Sequence, residues 1–249
     1  MTRVLILGGT TEASALAAAL AEREIDTVLS YAGRVASPRS QPVPVRVGGF
    51  GGIAGLERYL RETAVTHLVD ATHPFAATMS AHAIAAAKAA GIALAALTRA
   101  PWAPRGGDRW HQVPDLAAAV ASLEGPPRRV MLALGRMHVE AFAAQPQHHY
   151  LLRFVDAPTE APSLPHHDLV IDRGPFTPER DTDLLRAHRI DLLVCKNAGG
   201  SGASAKLDAA RELGLAVTMI DRPAIPPRRA LERVEQVLDW LAHSAHRGV

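Results

Sequence analysis

Short runs of Val, Leu and Ile alternate along this chain with stretches of helical period, and that alternation limits the fold more than any other feature. RVLILG (3–8), TVLSYA (27–32), VPVRVG (43–48), HLVDAT (67–72) and IALAALT (92–98) read as strands. Residues 11–22, 52–63 and 75–90 between them read as helices, with another at 115–123, and Gly91 is placed to cap the third. A Pro-Pro break in EGPPRR (124–129) is followed by the same pattern again. VMLALG, HYLLRFV, LVIDRG, LLVCKN and AVTMID read as strands, TPERDTDLLRAHR and ASAKLDAARELG as helices, and RRALERVEQVLDWLAH as a closing helix. Apolar strands joined by helices of this length predict parallel sheets covered on both faces. The expectation is an α/β chain of two Rossmann-like domains, residues 1–124 and 125–249, with an interdomain cleft.

A length of 249 residues gives either domain enough core. Aromatic residues are 4% of the chain, so Ala, Val and Leu must fill the interior. The formal charge of +2 is nearly balanced and no block of like charge forms a nucleic-acid arm. One cysteine, Cys195, rules out an internal disulfide framework and suits a reducing compartment. No apolar run reaches membrane-spanning length, and Met1 to Leu7 is too short for a signal-peptide core. A cytoplasmic protein with neither membrane nor nucleic-acid partners is expected.

The first strand runs into GGTTEA. Glycines at such a turn let the backbone approach a pyrophosphate, and the helix that follows presents free N–H groups. Gly8 and Gly9 fit that pattern, while Thr10 and Thr11 replace the later glycines. Their hydroxyls either bond phosphate oxygens or cap the helix, with Glu12 beside them. The second strand has no acid near its end, where NAD-binding units place one on the ribose. Ser30 and Arg34 stand nearby, and a hydroxyl with a guanidinium suits a 2′-phosphate. NADPH is therefore the expected cofactor. GGFGG (48–52), including Gly49, adds a flexible loop after the third strand.

VDATHPFA (69–76) ends the fourth strand, the position at which open α/β sheets bind ligands. Asp70 and Thr72 are read as cofactor neighbours or structural acceptors, and Pro74 as part of the first helical turn. His73 either caps that helix or orients a ligand and moves a proton. The pairs His148–His149 and His166–His167 lack the i, i+4 spacing of a helical zinc site and read as surface loops, so no metal is expected. Cys195 reads as a small buried residue. Neither GxSxG nor GxxxxGK[ST] occurs, which argues against hydrolase and Walker-type chemistry.

GGTTE, DATHPFA and TRAPW (98–102), followed by LALGR (132–136), RGPF (173–176) with Glu179, CKNAGGSGASAKLDAA (195–210) and DRP (221–223), resemble the precorrin-6A reductase family of cobalamin biosynthesis along nearly the whole chain. The resemblance implies NADPH as hydride donor and reduction of one double bond in a tetrapyrrole, precorrin-6A, to give precorrin-6B. Neighbouring pathway enzymes are expected as further partners. It implies that the second domain meets a flat macrocycle fringed with carboxylates. Arg136, Arg173, Lys196, Lys206 and Arg222, all expected at or near loops, are the candidate cations. Gly174, Pro175 and Phe176 are the candidate turn facing the ring, and Gly199 and Gly200 offer N–H groups to an anionic arm. His73 and Lys196 are the candidate proton donors. Arg173 departs from the family pattern. Two other readings share the twin domains, a nucleotide-sugar transferase and a non-catalytic NADP-sensing module.

Overall fold

The computed structural model describes residues 2–33 and 40–245. The first sheet is built from β1 (Arg3–Leu7), β2 (Asp26–Tyr31), β3 (Val45–Val47), β4 (His67–Asp70), β5 (Ala93–Leu97) and, from far along the chain, β12 (Ala230–Leu231). Its strand order is β12-β5-β4-β1-β2-β3, and each pairing is parallel. The second sheet contains β6 (Arg109–Val113), β7 (Arg129–Ala133), β8 (His149–Phe154), β9 (His167–Ile171), β10 (Leu192–Lys196) and β11 (Ala216–Ile220). It is also wholly parallel, in the order β6-β11-β10-β7-β8-β9. Five strands follow the same order in both sheets, while the outermost is the last strand of its unit in the first sheet and the first in the second; each sheet is Rossmann-like.

The first sheet is covered on both faces because its strands are apolar at successive positions, which point to opposite sides. Val4 and Ile6 pack with α1 (Thr11–Ala21) and α7 (Val234–Ala245). Leu5 and Leu7 pack on the other side with α2 (Gly52–Glu62) and α3 (Ala77–Ala90). Gly91 ends α3 at φ +70°, the left-handed cap expected from its position. In the second sheet, Met131, Leu193, Cys195 and Met219 pack with α5 (Pro178–Ala187) and α6 (Ala205–Glu212). Between β6 and β7 lies α4 (Leu116–Ala121), capped by Asp115, which accepts from Ala118 N at 2.8 Å.

The domain boundary differs from the expectation at 124/125. The chain divides at Ala100/Pro101 and again at Pro223/Ala224, so that its last segment rejoins the first unit. The Pro-Pro break only joins α4 to β7. Two elements account for the difference. β6 (RWHQV) is a polar edge strand with its side chains mostly exposed, so it carries no apolar pattern. β12 is two residues long and occupies the start of the expected closing helix. Pro74 also lies before α3, at the second position of a turn closed by Ala76 N to His73 O at 2.7 Å.

Trp240 of α7 is 9% exposed and packs in the core of the first unit. Trp240→Ala is expected to cost about 3–5 kcal/mol, measured by chemical denaturation. A loss below about 1 kcal/mol would remove α7 from that core.

Candidate functional site

Strands that pair in parallel all end on the same edge of their sheet, and a crevice opens where the order reverses. In the first sheet this is between β1 and β4, and the loops there are GGTTE and DATHPFA. Thr10 joins them. Its hydroxyl accepts from Ala13 N at 3.1 Å as the α1 cap and donates to Ala71 O at 2.8 Å. The cap expected of Thr10 is therefore formed. Thr11 donates to Glu12 Oε2 at 3.1 Å, and Glu12 pairs with Arg99 of TRAPW at 2.6 Å. Burial pushes the Glu12 carboxyl up. The Arg99 hydrogen bond, a backbone N–H, the Arg99 charge and the Thr11 hydroxyl together hold it below its usual value of 4.5. Gly8 lies so close to β2 that an added Cβ would stand 2.7 Å from Leu29 Cδ1, and Gly9 adopts φ +121°.

Asp70 is 2% exposed and takes the structural role. Its Oδ1 accepts from Thr72 N and the Thr72 hydroxyl, at 3.2 and 2.6 Å. Its Oδ2 accepts from Ser80 at 2.6 Å and faces Arg228 at 3.4 Å, which fastens the returning segment to β4. His73 Nδ1 accepts from Phe75 N at 3.2 Å, so the neutral ring carries its proton on Nε2.

At the end of β2, Ser30 is 4% exposed and registers with Arg46 of β3, a residue the sequence reading passed over. Arg46 Nη1 lies 3.3 Å from Ser30 Oγ, and the guanidinium donates to Gly48 O and Gly49 O at 2.5 and 2.7 Å. It stacks 3.8 Å above Phe50. Arg34 lies outside the described residues. Arg46 stands in a non-acidic strand next to GGFGG, and only the pairing of β2 with β3 makes it a neighbour of Ser30.

The second sheet reverses between β7 and β10, and four motifs meet around its carboxyl edge. Gly135, at φ +74°, turns the chain after β7 into a 3-10 segment (Arg136–Ala144) that begins with Arg136. Lys196 is the last residue of β10. Asn197 beyond it accepts from Trp102 N at 2.7 Å and donates to Trp102 O at 3.0 Å. The Trp102 indole donates to Gly200 O at 2.7 Å. Arg222 donates to Asn197 O and Ala198 O at 2.9 and 3.0 Å. Gly199 and Gly200 both adopt positive φ, +70° and +72°. Asn197 and Trp102 stand within the motifs, but their mutual contact is invisible in sequence. Lys206 is near a loop, as expected. It lies in the first turn of α6, 5% exposed, donates to Ala203 O, and sits 4.9 Å over the Trp102 ring.

The GPF turn follows β9. Arg173 pairs with Asp156 at 2.9 Å on the surface. The Gly174–Pro175 peptide is cis, and a Cβ on Gly174 would meet the Phe176 ring at 3.3 Å. Phe176 rests 4.0 Å from the guanidinium of Arg153, which pairs with buried Asp181 of α5 at 2.5 Å. Glu179 is exposed in the first turn of α5. Of the histidine pairs, His166 is exposed in a loop as expected, and the other three are not on surface loops. His148 is fully buried and accepts from Arg128 N at 3.1 Å, His149 opens β8, and His167 opens β9. Cys195 is buried as expected, and burial pushes its thiol up to about 11.

Residues 3–242 match the family model described as precorrin-6x reductase CbiJ/CobK. The chain is 58% identical to the precorrin-6A reductase of Rhodobacter capsulatus, across 97% of this chain and 96% of that one. It is 49% identical to the precorrin-6A reductase of Rhodococcus erythropolis, across 97% of each. Identity to the cobalt-precorrin-6A reductase of Priestia megaterium is 28%, across 96% of this chain and 98% of that one. The solved structure of CobK precorrin-6A reductase has a TM-score of 0.95 to this one at 58% identity, covering 98% and 97% of the two chains.

Two outcomes follow from the loop geometry. The folded-state pKa of Glu12 is depressed, so its contribution to stability is complete above the ordinary value near 4.5 and is lost as pH falls through the lower folded value. Urea denaturation from about pH 5 to pH 3 is expected to show a shallower loss for Glu12→Gln than for the parent. An identical slope would mean that the Arg99 pair does not form. Asn197→Asp sets an oxygen against the Trp102 carbonyl and is expected to cost about 1–3 kcal/mol, with a changed tryptophan emission. Unchanged emission and stability would deny the Asn197–Trp102 link.

Proposed function

The chain belongs to the precorrin-6x reductase family, and from that premise we propose that it reduces one double bond of precorrin-6A, with NADPH as the donor, to give precorrin-6B in corrin synthesis. The observation that carries this reading is the 58% identity to a precorrin-6A reductase across 97% of the chain. The cobalt-free substrate is favoured, since relatives called precorrin-6A reductase are 45–58% identical and those called cobalt-precorrin-6A reductase 25–28%.

The dinucleotide is assigned to the carboxyl edge of the first sheet, and the residues there fit it. Gly8 and Gly9 leave the backbone bare before α1, whose N-terminal dipole favours a pyrophosphate. Glu12 would repel that anion if its charge stood alone, and the Arg99 pair offsets it. Ser30 and Arg34 are assigned to the 2′-phosphate, and Gly49 to the same cofactor. Asp70 and Thr72 hold the loop after β4 in shape rather than touching the cofactor. When bound, the nicotinamide supplies a hydride to a ring carbon. The chain's part is to align donor and acceptor and to exclude water.

The macrocycle is assigned to the second unit. Arg136, Arg173, Lys196 and the N–H groups of Gly199 and Gly200 suit its carboxylates, and Gly174, Pro175 and Phe176 suit its flat face. Lys206 and Arg222 act through the loops they hold. Reduction also needs a proton, for which His73 Nε2 and Lys196 Nζ are the candidates. The two other readings, a transferase and an NADP sensor, predict no NADPH oxidation.

The expected result is NADPH oxidation on adding metal-free precorrin-6A, faster than with its cobalt complex. No oxidation with either would overturn the reading. Arg173→Ala or Lys196→Ala is expected to raise the Michaelis constant for the macrocycle about ten- to a hundredfold, and substrate binding should weaken as salt rises. NADPH affinity measured alone should stay unchanged. Loss of NADPH affinity with normal macrocycle binding would reverse the assignment of the two units.

A further inference from the structure

We infer that Arg46 joins Ser30 and Arg34 in selecting a 2′-phosphorylated dinucleotide, an inference that rests on the first sheet being the cofactor site. In sheets of this order the adenosine ribose lies at the end of β2. Ser30 stands there, and Arg46 is its register partner on β3. No carboxylate occurs in residues 27–33 or 43–52 to take a ribose hydroxyl or repel a phosphate.

A guanidinium has five N–H donors. Arg46 directs three of them to Ser30 Oγ, Gly48 O and Gly49 O. The Nε–H and the second Nη2–H have no partner among the described residues. These two lie on the same side of the group and form the fork that binds phosphate oxygens bidentately. Ser30 is in a similar condition. Its oxygen accepts from Arg46, yet its own O–H donates to nothing among the described residues, although the side chain is buried. A buried donor of that kind calls for an acceptor. A phosphate monoester beside both groups would satisfy three donors at once.

The fork is also held in place before a ligand arrives. Its plane rests 3.8 Å over Phe50, and Tyr59 lies 5.4 Å away. Phe50 is fixed in turn by Gly55 of α2, where a Cβ would stand 1.7 Å from the Phe50 carbonyl oxygen. Only glycine allows that approach. A preset fork loses less conformational freedom on binding.

The test is calorimetric titration of the full-length chain with adenosine 2′,5′-bisphosphate and with 5′-AMP, which differ only in the 2′-phosphate. The parent is expected to prefer the bisphosphate. Arg46→Gln should weaken the bisphosphate about ten- to a hundredfold and leave 5′-AMP unchanged, while Arg46→Lys, a charge without a fork, should fall between. NADP+ and NAD+ should repeat the contrast. Equal weakening of both nucleotides would reduce Arg46 to a strut for the Gly48–Gly49 loop and overturn the inference, as would an undiminished preference in the variants. Should Arg46→Gln fail to fold, Arg46→Lys decides the question. A parent that does not distinguish the two nucleotides would overturn the NADPH assignment itself, an outcome read before any variant is made.

Discussion

Parallel pairing is the constraint on which the rest of this structure depends. Strands that run side by side in one direction cannot be joined by tight hairpins, so each connection must cross the sheet, usually as a helix. All carboxyl ends of a sheet then lie on one edge. The glycine turn after β1, the DATHPFA loop after β4, the turn after β7 and the KNAGG loop after β10 are brought to those edges by hydrogen-bond geometry alone. The order reverses at β1/β4 and at β7/β10, so each unit has its own crevice between loops.

Those loops are shaped by satisfying one another's polar groups. Thr10 caps α1 and also holds the carbonyl of Ala71. Asp70 collects Thr72, Ser80 and Arg228, residues drawn from three parts of the chain. Asn197 meets both backbone groups of Trp102, and Arg222 takes the next two carbonyls. Bonds of this kind are individually modest, but leaving any buried partner unmade costs more than the bond contributes. These bonds link the loops at each carboxyl edge to one another.

The two units share the order of five strands but differ in edge chemistry. The first has bare glycines, a capped helix and an acid neutralised by Arg99, which suits a pyrophosphate. The second carries Arg136 and Lys196 at the ends of the reversed strands and a GPF turn stacked on Arg153. The proposed assignment of the dinucleotide to the first unit and of the macrocycle to the second rests on that difference.

Local pattern was sufficient for the strands that are buried on both faces, because burial requires apolar residues at successive positions. Val4 to Leu7 and Leu192 to Cys195 declare themselves in this way. The Gly91 cap was legible for a similar reason, since few residues but glycine tolerate its φ. The family resemblance was also legible, being carried by motifs in order. Edge strand β6 and two-residue β12 were not, since each owes its place to a neighbour rather than to its own composition. The domain boundary was hidden with them. Within the sites, sequence left Asn197 and Arg46 unassigned and did not show that Lys206 lies over the Trp102 ring. Only the tertiary structure decided these cases, because a hydrogen bond or a stacked ring is set by what lies across the fold, sometimes a hundred residues away in the chain.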